Sequence, residues 1–368
     1  MNIVWQEMKK IVSLKKLLYL AGFYVLYFLL FLKPYVRSSV SSYHWEADLL
    51  RSFIEEYGTE LTPEEFQELK SRKPEYEYDE IDQYIASTQD FTELGIHNFQ
   101  DFADAYGKGK VSMEEDDRLW RMLYDAVPEG GVSKKMQSLL IYQMWNQYME
   151  TYEKETAGGT MYYEDLNQDQ LKRIEERGQG EVYGLAPNGV VYNNFEVLRF
   201  VGAFMALGML FMTMPYMVWE NRSRMPSLQY SFQKGRSCYG CRLAAVLLSC
   251  GLIAVLVAAV YARIAVANRV TEFWDCSISA YSTAFISWFP WTVGQYTVFH
   301  LLIAAAFSTG LSLMLFTVTH YLDSYVTAIA WALSAVVGAV FFCGFRLCAF
   351  GEIARGKWPV PLAGATVL

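Results

Sequence analysis

The sequence predicts an α-helical polytopic membrane protein with five transmembrane helices, six on an alternative count, and a mainly α-helical extracellular domain. Three observations predict it. The 368 residues are 53% hydrophobic yet 19% charged, too apolar for an ordinary soluble domain and too charged for a chain wholly in lipid. Uncharged stretches long enough to cross a hydrocarbon core of about 30 Å as helices occur at 17–32, 200–219, 243–262, 296–321 and 324–345. Charge is also partitioned. Residues 34–197 hold 33 acids against 15 Lys or Arg, a net of −18, whereas the rest of the chain holds 6 acids and 16 bases, a net of +10.

Residues 1–16 read as a cytoplasmic amphipathic segment. Val4, Met8, Ile11 and Leu14 recur on one side at helical spacing, with Lys9, Lys10, Ser13 and Lys16 away from it, the pattern of a helix lying on the inner leaflet. An ordinary extension of the first span fits the same residues. The first transmembrane helix occupies 17–33, between Lys15-Lys16 and Lys33, whose stems reach the interfaces. Lys33-Pro34 stands where a signal peptide would carry small residues for cleavage, so the run reads as an anchor. Lys9, Lys10, Lys15 and Lys16 place the N-terminus in the cytoplasm, because Lys and Arg near span ends are retained there.

Alternation then puts 34–197 outside as a folded domain. Thr62-Pro63-Glu64-Glu65 and Ser112-Met113-Glu114-Glu115 match the capping box, with Pro63 at the favoured first helical position. Helices are expected after each, and also near 40–57 up to Gly58, near 77–88, near 97–106 and near 133–156. A hairpin is expected around Pro187-Asn188-Gly189. All six cysteines fall after residue 237, so no disulfide framework holds the domain.

The second span, 198–219, carries Met205, Met209 and Met212 along one side, which fill gaps in a bundle or line an adaptable substrate path. It returns the chain to the cytoplasm. The connection 220–242 has Glu220 as its single acid and five cations, Arg222, Arg224, Lys234, Arg236 and Arg242. Next come the third span, 243–262, an extracellular or re-entrant loop, 263–295, and the fourth and fifth spans, 296–321 and 324–345. Gly251, Ala254, Ala258 and Ala262 on the third span, and Ala328, Ala332, Ala335 and Ala339 on the fifth, allow close approach of a neighbouring helix. The tail 346–368 resembles the start of a further span; two spans turning near Pro290 would supply the sixth instead.

The five uncharged stretches, the second of them beginning at Phe200, contain no Asp, Glu, Lys or Arg, and His300 and His320 near the ends of the fourth read as interfacial, which disfavours an ion-coupled transporter. The pairs Gly107-Lys108, Gly109-Lys110 and Gly356-Lys357 lack the following Ser or Thr of a phosphate-binding loop. Cys238 and Cys241 lack a second pair or nearby His, so no metal is expected. The chain reads as non-catalytic, with no nucleic-acid partner.

The cytoplasmic connection resembles that of the membrane subunits of ATP-binding-cassette exporters, the type-2 ABC permeases of Gram-positive bacteria. A span ending in an acid, a polar run, a Gly-Arg pair and a basic residue opening the next span are here Glu220, Gln229-Tyr230-Ser231, Gly235-Arg236 and Arg242. Tyr57-Gly58-Thr59-Glu60-Leu61-Thr62-Pro63-Glu64-Glu65 is similar to a stretch in members with a large domain between spans one and two. The resemblance implies a multi-pass permease of the bacterial plasma membrane, working with a separate ABC ATPase subunit that binds ATP and Mg, with a second permease copy or paralogue, and in contact with membrane lipid. Glu220, Arg222, Arg224, Gln229, Tyr230, Lys234, Gly235, Arg236 and Arg242 would then form the ATPase-coupling surface. A mechanotransmitting ABC subunit and a membrane-anchored receptor or adhesion protein are the other classes compatible with this layout.

Overall fold

The computed structural model describes residues 2–36, 41–71, 78–107, 168–169, 172, 184–222, 235–280, 287–319 and 325–341. In chain order its helices are α1 (Asn2–Ile11), α2 (Leu14–Tyr27), α3 (Ser41–Tyr57), α4 (Pro63–Ser71), α5 (Tyr78–Ser87), α6 (Gln89–Glu93), α7 (Phe99–Gly107), α8 (Asn188–Arg222), α9 (Gly235–Ala267), α10 (Val293–Thr319) and α11 (Tyr325–Phe341). Among the described residues there is no strand; isolated bridges occur, as between Glu60 and Gly184. The chain divides into two compact units, Met1–Ser39 with Tyr192–Trp274 and Trp291–Leu368, and Val40–Val191 with Asp275–Pro290.

The first unit is a bundle. Among the described residues four helical segments, Ile3–Tyr35, Asn188–Val218, Tyr239–Ala267 and Val293–Val318, are long and apolar enough to cross a membrane, the layout of a multi-pass membrane protein. The apolar α11 is described over 17 residues, about 25 Å at the helical rise. Ser13 separates α1 from α2: its backbone is extended, and its Oγ accepts the Lys16 N–H at 3.4 Å. The far end of α2 loosens into a wide turn, Phe28–Leu32, and closes in a tight one, Lys33–Tyr35, around Pro34.

The central helix is α8. Of its apolar window 72% is buried, against 17%, 33% and 22% for the other three segments. It runs antiparallel to α2, as the pairs Tyr35–Phe200, Tyr27–Phe204 and Leu20–Gly208 show. An aromatic seam fills this contact: Phe23 stacks on Phe204 with ring centroids 6.0 Å apart, and Tyr24 meets Phe204 edge-on at 4.8 Å. The Tyr27 hydroxyl donates to the Phe200 carbonyl at 2.9 Å. On α9 the buried residues recur at helical spacing, Val246, Cys250, Ile253, Val257, Tyr261 and Ile264. The stripe expected to pack closely turns away from them, for Gly251 and Ala262 are exposed and Ala254 and Ala258 only half-buried. Larger side chains took the core face because they remove more apolar area.

Four buried hydroxyls of the bundle are satisfied within their own helices. Thr213, Ser249, Ser308 and Ser312 each donate to the carbonyl four residues back, at 2.7, 2.7, 2.6 and 3.1 Å, as burial away from water requires.

In the second unit the predicted helices at 40–57, 77–88 and 97–106 are present as α3, α5 and α7, and α4 follows its capping box. Thr62 N–H donates to Glu65 Oε2 at 2.8 Å, and Glu65 N–H to Thr62 Oγ1 at 3.2 Å. Gly58 stops α3 with φ +92°, which a Cβ would strain. Leu50, Phe53, Leu61, Phe66, Leu69 and Leu185 form a core. The helices expected after Ser112 and near 133–156 lie outside the described residues.

Pro187-Asn188-Gly189 does not turn a hairpin; it opens α8, where the Val191 N–H donates to the Pro187 carbonyl at 3.0 Å. Pro and Asn serve at helix starts as readily as at turns. In consequence α8 is much longer than the expected span at 198–219.

Cys276, also in this unit, is 1% exposed. Burial, with the neighbouring Asp275 carboxylate, pushes its thiol up to about 12. Because the thiolate is the nucleophile, folded protein should leave Cys276 unmodified by maleimide between pH 7 and pH 9 by peptide mass spectrometry, with labelling only after denaturation.

The start of α10 is fixed twice. Thr292 N–H donates to Gln295 Oε1 and Gln295 N–H to Thr292 Oγ1, both at 3.2 Å, a capping box missed in the sequence pattern. Gly294 sits against Trp274, its N–H donating to the Trp274 carbonyl at 2.9 Å, and an added Cβ would fall inside the indole ring. Gly294→Ala should therefore destabilise by about 1–3 kcal/mol, lowering the thermal midpoint of the purified protein. Gly251→Ala, at a mid-helix position with nothing within 4 Å of the new methyl group, should not lower it, Ala being the better helix former.

Candidate functional site

The predicted coupling residues fall on two helix ends. Glu220 and Arg222 belong to the last turn of α8, and Gly235 and Arg236 to the first turn of α9. Arg242 lies further along α9 and is 5% exposed, buried rather than presented at a surface. Arg224, Gln229, Tyr230 and Lys234 lie outside the described residues, as does the segment from Pro226. Both helices extend beyond their expected ends, α8 to Arg222 and α9 back to Gly235.

Met205, Met209 and Met212 are all buried, and Met209 Sδ accepts the Thr309 hydroxyl at 3.7 Å. They fill the centre of the bundle. Their flexible thioethers suit irregular gaps between helices.

The structure also assembles polar groups that the sequence pattern left scattered. Asn194 on α8 is 1% exposed. Its side-chain N–H donates to Thr297 Oγ1 on α10 at 3.0 Å, and its carbonyl accepts the Tyr261 hydroxyl of α9 at 2.6 Å. One carboxamide thus joins three helices. Beside it, Asn193 and Asn268 each donate a side-chain N–H to the Tyr35 carbonyl, at 3.0 and 2.8 Å. That carbonyl closes the last turn of the α2 segment, where helix geometry supplies no partner.

One turn along α8, Glu196 and Arg199 form an ion pair. Both lie within the membrane-length segment Asn188–Val218, ahead of the uncharged stretch 200–219 assigned to the second span. The apolar run begins at Phe200, and the helix continues back to Asn188 through a polar stretch. His300 is 2% exposed, one turn beyond Thr297 and with its ring 5.9 Å from that of Tyr296. His320 lies outside the described residues.

A second polar joint ties the other end of α8 to α1. The Glu7 carboxylate accepts Lys10 Nζ at 2.7 Å and the Tyr216 hydroxyl at 2.8 Å. Glu7 is 9% exposed, and a buried carboxylate needs such partners. Sequence offered a signal for this in Glu7, the only acid among residues 1–16 and adjacent to the helical stripe.

Asn194→Leu should cost about 1–3 kcal/mol, because it strands the Tyr261 and Thr297 hydroxyls as well as removing two bonds. Tyr261→Phe alone should cost about 0.5–1 kcal/mol, and nothing further in the Asn194→Leu background. Unfolding of the purified variants measures all three.

No protein-family model, curated protein or solved structure matches this chain.

Proposed function

We propose that the chain is the membrane-spanning permease subunit of an ABC exporter, forming the translocation pathway and driven by a separate ATPase subunit. The observation that carries this reading is the placement of the basic connection. In the chain it lies between α8, the most buried of the four membrane-length segments, and α9. A displacement imposed on the end of α8 would be carried along that helix toward the centre of the bundle. The resemblance of Glu220, Gln229-Tyr230, Gly235-Arg236 and Arg242 to the permease connection supports the same reading.

In this reading the connection is cytoplasmic and meets the ATPase. Glu220 and Arg236, in the helix ends that flank the connection, make polar contacts to it. The ATPase binds ATP and Mg, and a second permease copy or paralogue completes the pathway in the bacterial plasma membrane.

Arg236→Lys keeps the charge but loses the planar, multidentate donor group. Co-expressed with an ABC ATPase, Arg236→Lys and more strongly Glu220→Ala should lower permease-dependent ATP hydrolysis by roughly threefold or more, the loss expected when a charge-assisted contact is weakened, with insertion unchanged. Cysteine introduced at Ser227 should label only in permeabilised cells, and cysteine at Ser112 in intact ones. Parental hydrolysis by both variants, or the reverse labelling, overturns the reading.

A further inference from the structure

The lysines that open the chain are not distributed evenly around α1. Val4 and Met8 are half-buried, Ile11 is wholly buried and Glu7 nearly so, and α1 packs along α9. The Glu7 carboxylate fixes the rotation of the helix, because it holds Lys10 on its own helix and Tyr216 on α8 at once. With that face held, Ile3, Trp5, Gln6 and Lys9 point outward, and Trp5 and Ile3 are 55% and 50% exposed. Lys9 Nζ lies 5.5 Å from the centroid of the Trp5 ring. Past the break at Ser13, Lys15 is exposed between the exposed Leu14 and Leu18. Lys16 turns back, its Nζ donating to the Lys10 carbonyl at 2.6 Å and so closing the end of α1.

Charge and apolarity therefore share one surface. Glu7 is the only acid among residues 1–16, and it is spent inside the fold, so the exposed ionisable groups of α1 and the first turn of α2 are all cationic. A large apolar side chain under a lysine suits the level where headgroups meet acyl chains: the indole enters the boundary while the ammonium stays with the phosphates. The covalent join to α2 holds α1 at the end of a membrane-length segment. Zwitterionic headgroups carry their own ammonium beside the phosphate, whereas anionic headgroups offer uncompensated charge to the lysines.

We propose that the outward face of α1, with Lys9 and Lys15 as cationic contacts and Ile3 and Trp5 at the acyl boundary, docks anionic phospholipid headgroups. The surface follows from the membrane layout alone, so it stands whether or not the bundle exports a substrate.

The test uses the full chain in vesicles of phosphatidylcholine alone or mixed with phosphatidylglycerol. Lipid retained per chain after detergent extraction is counted by mass spectrometry. The parent should retain phosphatidylglycerol in preference to phosphatidylcholine, and less of it as salt rises. Replacing both lysines, Lys9→Gln with Lys15→Gln, should lower retained phosphatidylglycerol by about fivefold or more, the loss expected for removing cations from an anionic surface. Lys33→Gln, at the opposite end of the α2 segment, should have no effect. Equal retention of the two lipids by the parent, parental retention by the double variant, or an equal loss in Lys33→Gln each overturns the proposal. If the double variant does not fold, the parent's salt series decides, and retention indifferent to salt overturns it.

Discussion

Asn194 is the point at which three membrane helices are held in register. A carboxamide buried among apolar side chains is costly unless its donors and acceptor are used. Here α9 supplies the tyrosine hydroxyl and α10 the threonine hydroxyl. Apolar contacts between helices in lipid specify position weakly, because lipid tails replace them at little cost. Directional bonds from one residue to two neighbours do specify it. The burial of α8 follows, since a helix bonded on two sides and stacked on a third by the α2 aromatics is surrounded.

The two ends of α8 are secured differently. At the Asn194 end neutral amides and hydroxyls predominate, joined by the Glu196–Arg199 pair. At the other end an acidic side chain, Glu7, joins α1 to Tyr216. Between them the contact is made by rings and thioethers, with Phe23, Phe204 and Met209 among the fillers. Polar joints at the ends and apolar filling between match the availability of water, which is least in the middle of the hydrocarbon.

Much of this was legible in the sequence, and the reasons for the rest are physical. Membrane-length runs are visible because twenty uncharged residues are rare by chance, and the capping box at Thr62 because its two bonds are local. The start of α8 was misread because Pro187-Asn188-Gly189 suits a turn as well as a helix entry, and the outcome depended on what lay beyond it. The capping box at Thr292 was masked by the Trp- and Pro-rich residues before it. The alliance of Asn194 with Tyr261 and Thr297 leaves no local trace, since its members stand far apart in the chain and none is unusual in type. Of the proposed coupling residues, the sequence pattern grouped Arg242 with the loop, while the helix beginning at Gly235 draws it into a buried position.

The joint at Tyr35 is made to a main-chain carbonyl, and both of its lone-pair directions are taken by carboxamides. Any residue at position 35 would present the same oxygen. The phenol is therefore free to serve other ends, such as its ring contact with Phe200. What the joint does constrain is chain length. Adding or removing one residue between Tyr27 and Tyr35 would rotate the carbonyl by about 100° around the helix axis and carry it away from both amides. The side chain at this corner of the bundle can drift, whereas the spacing along α2 cannot.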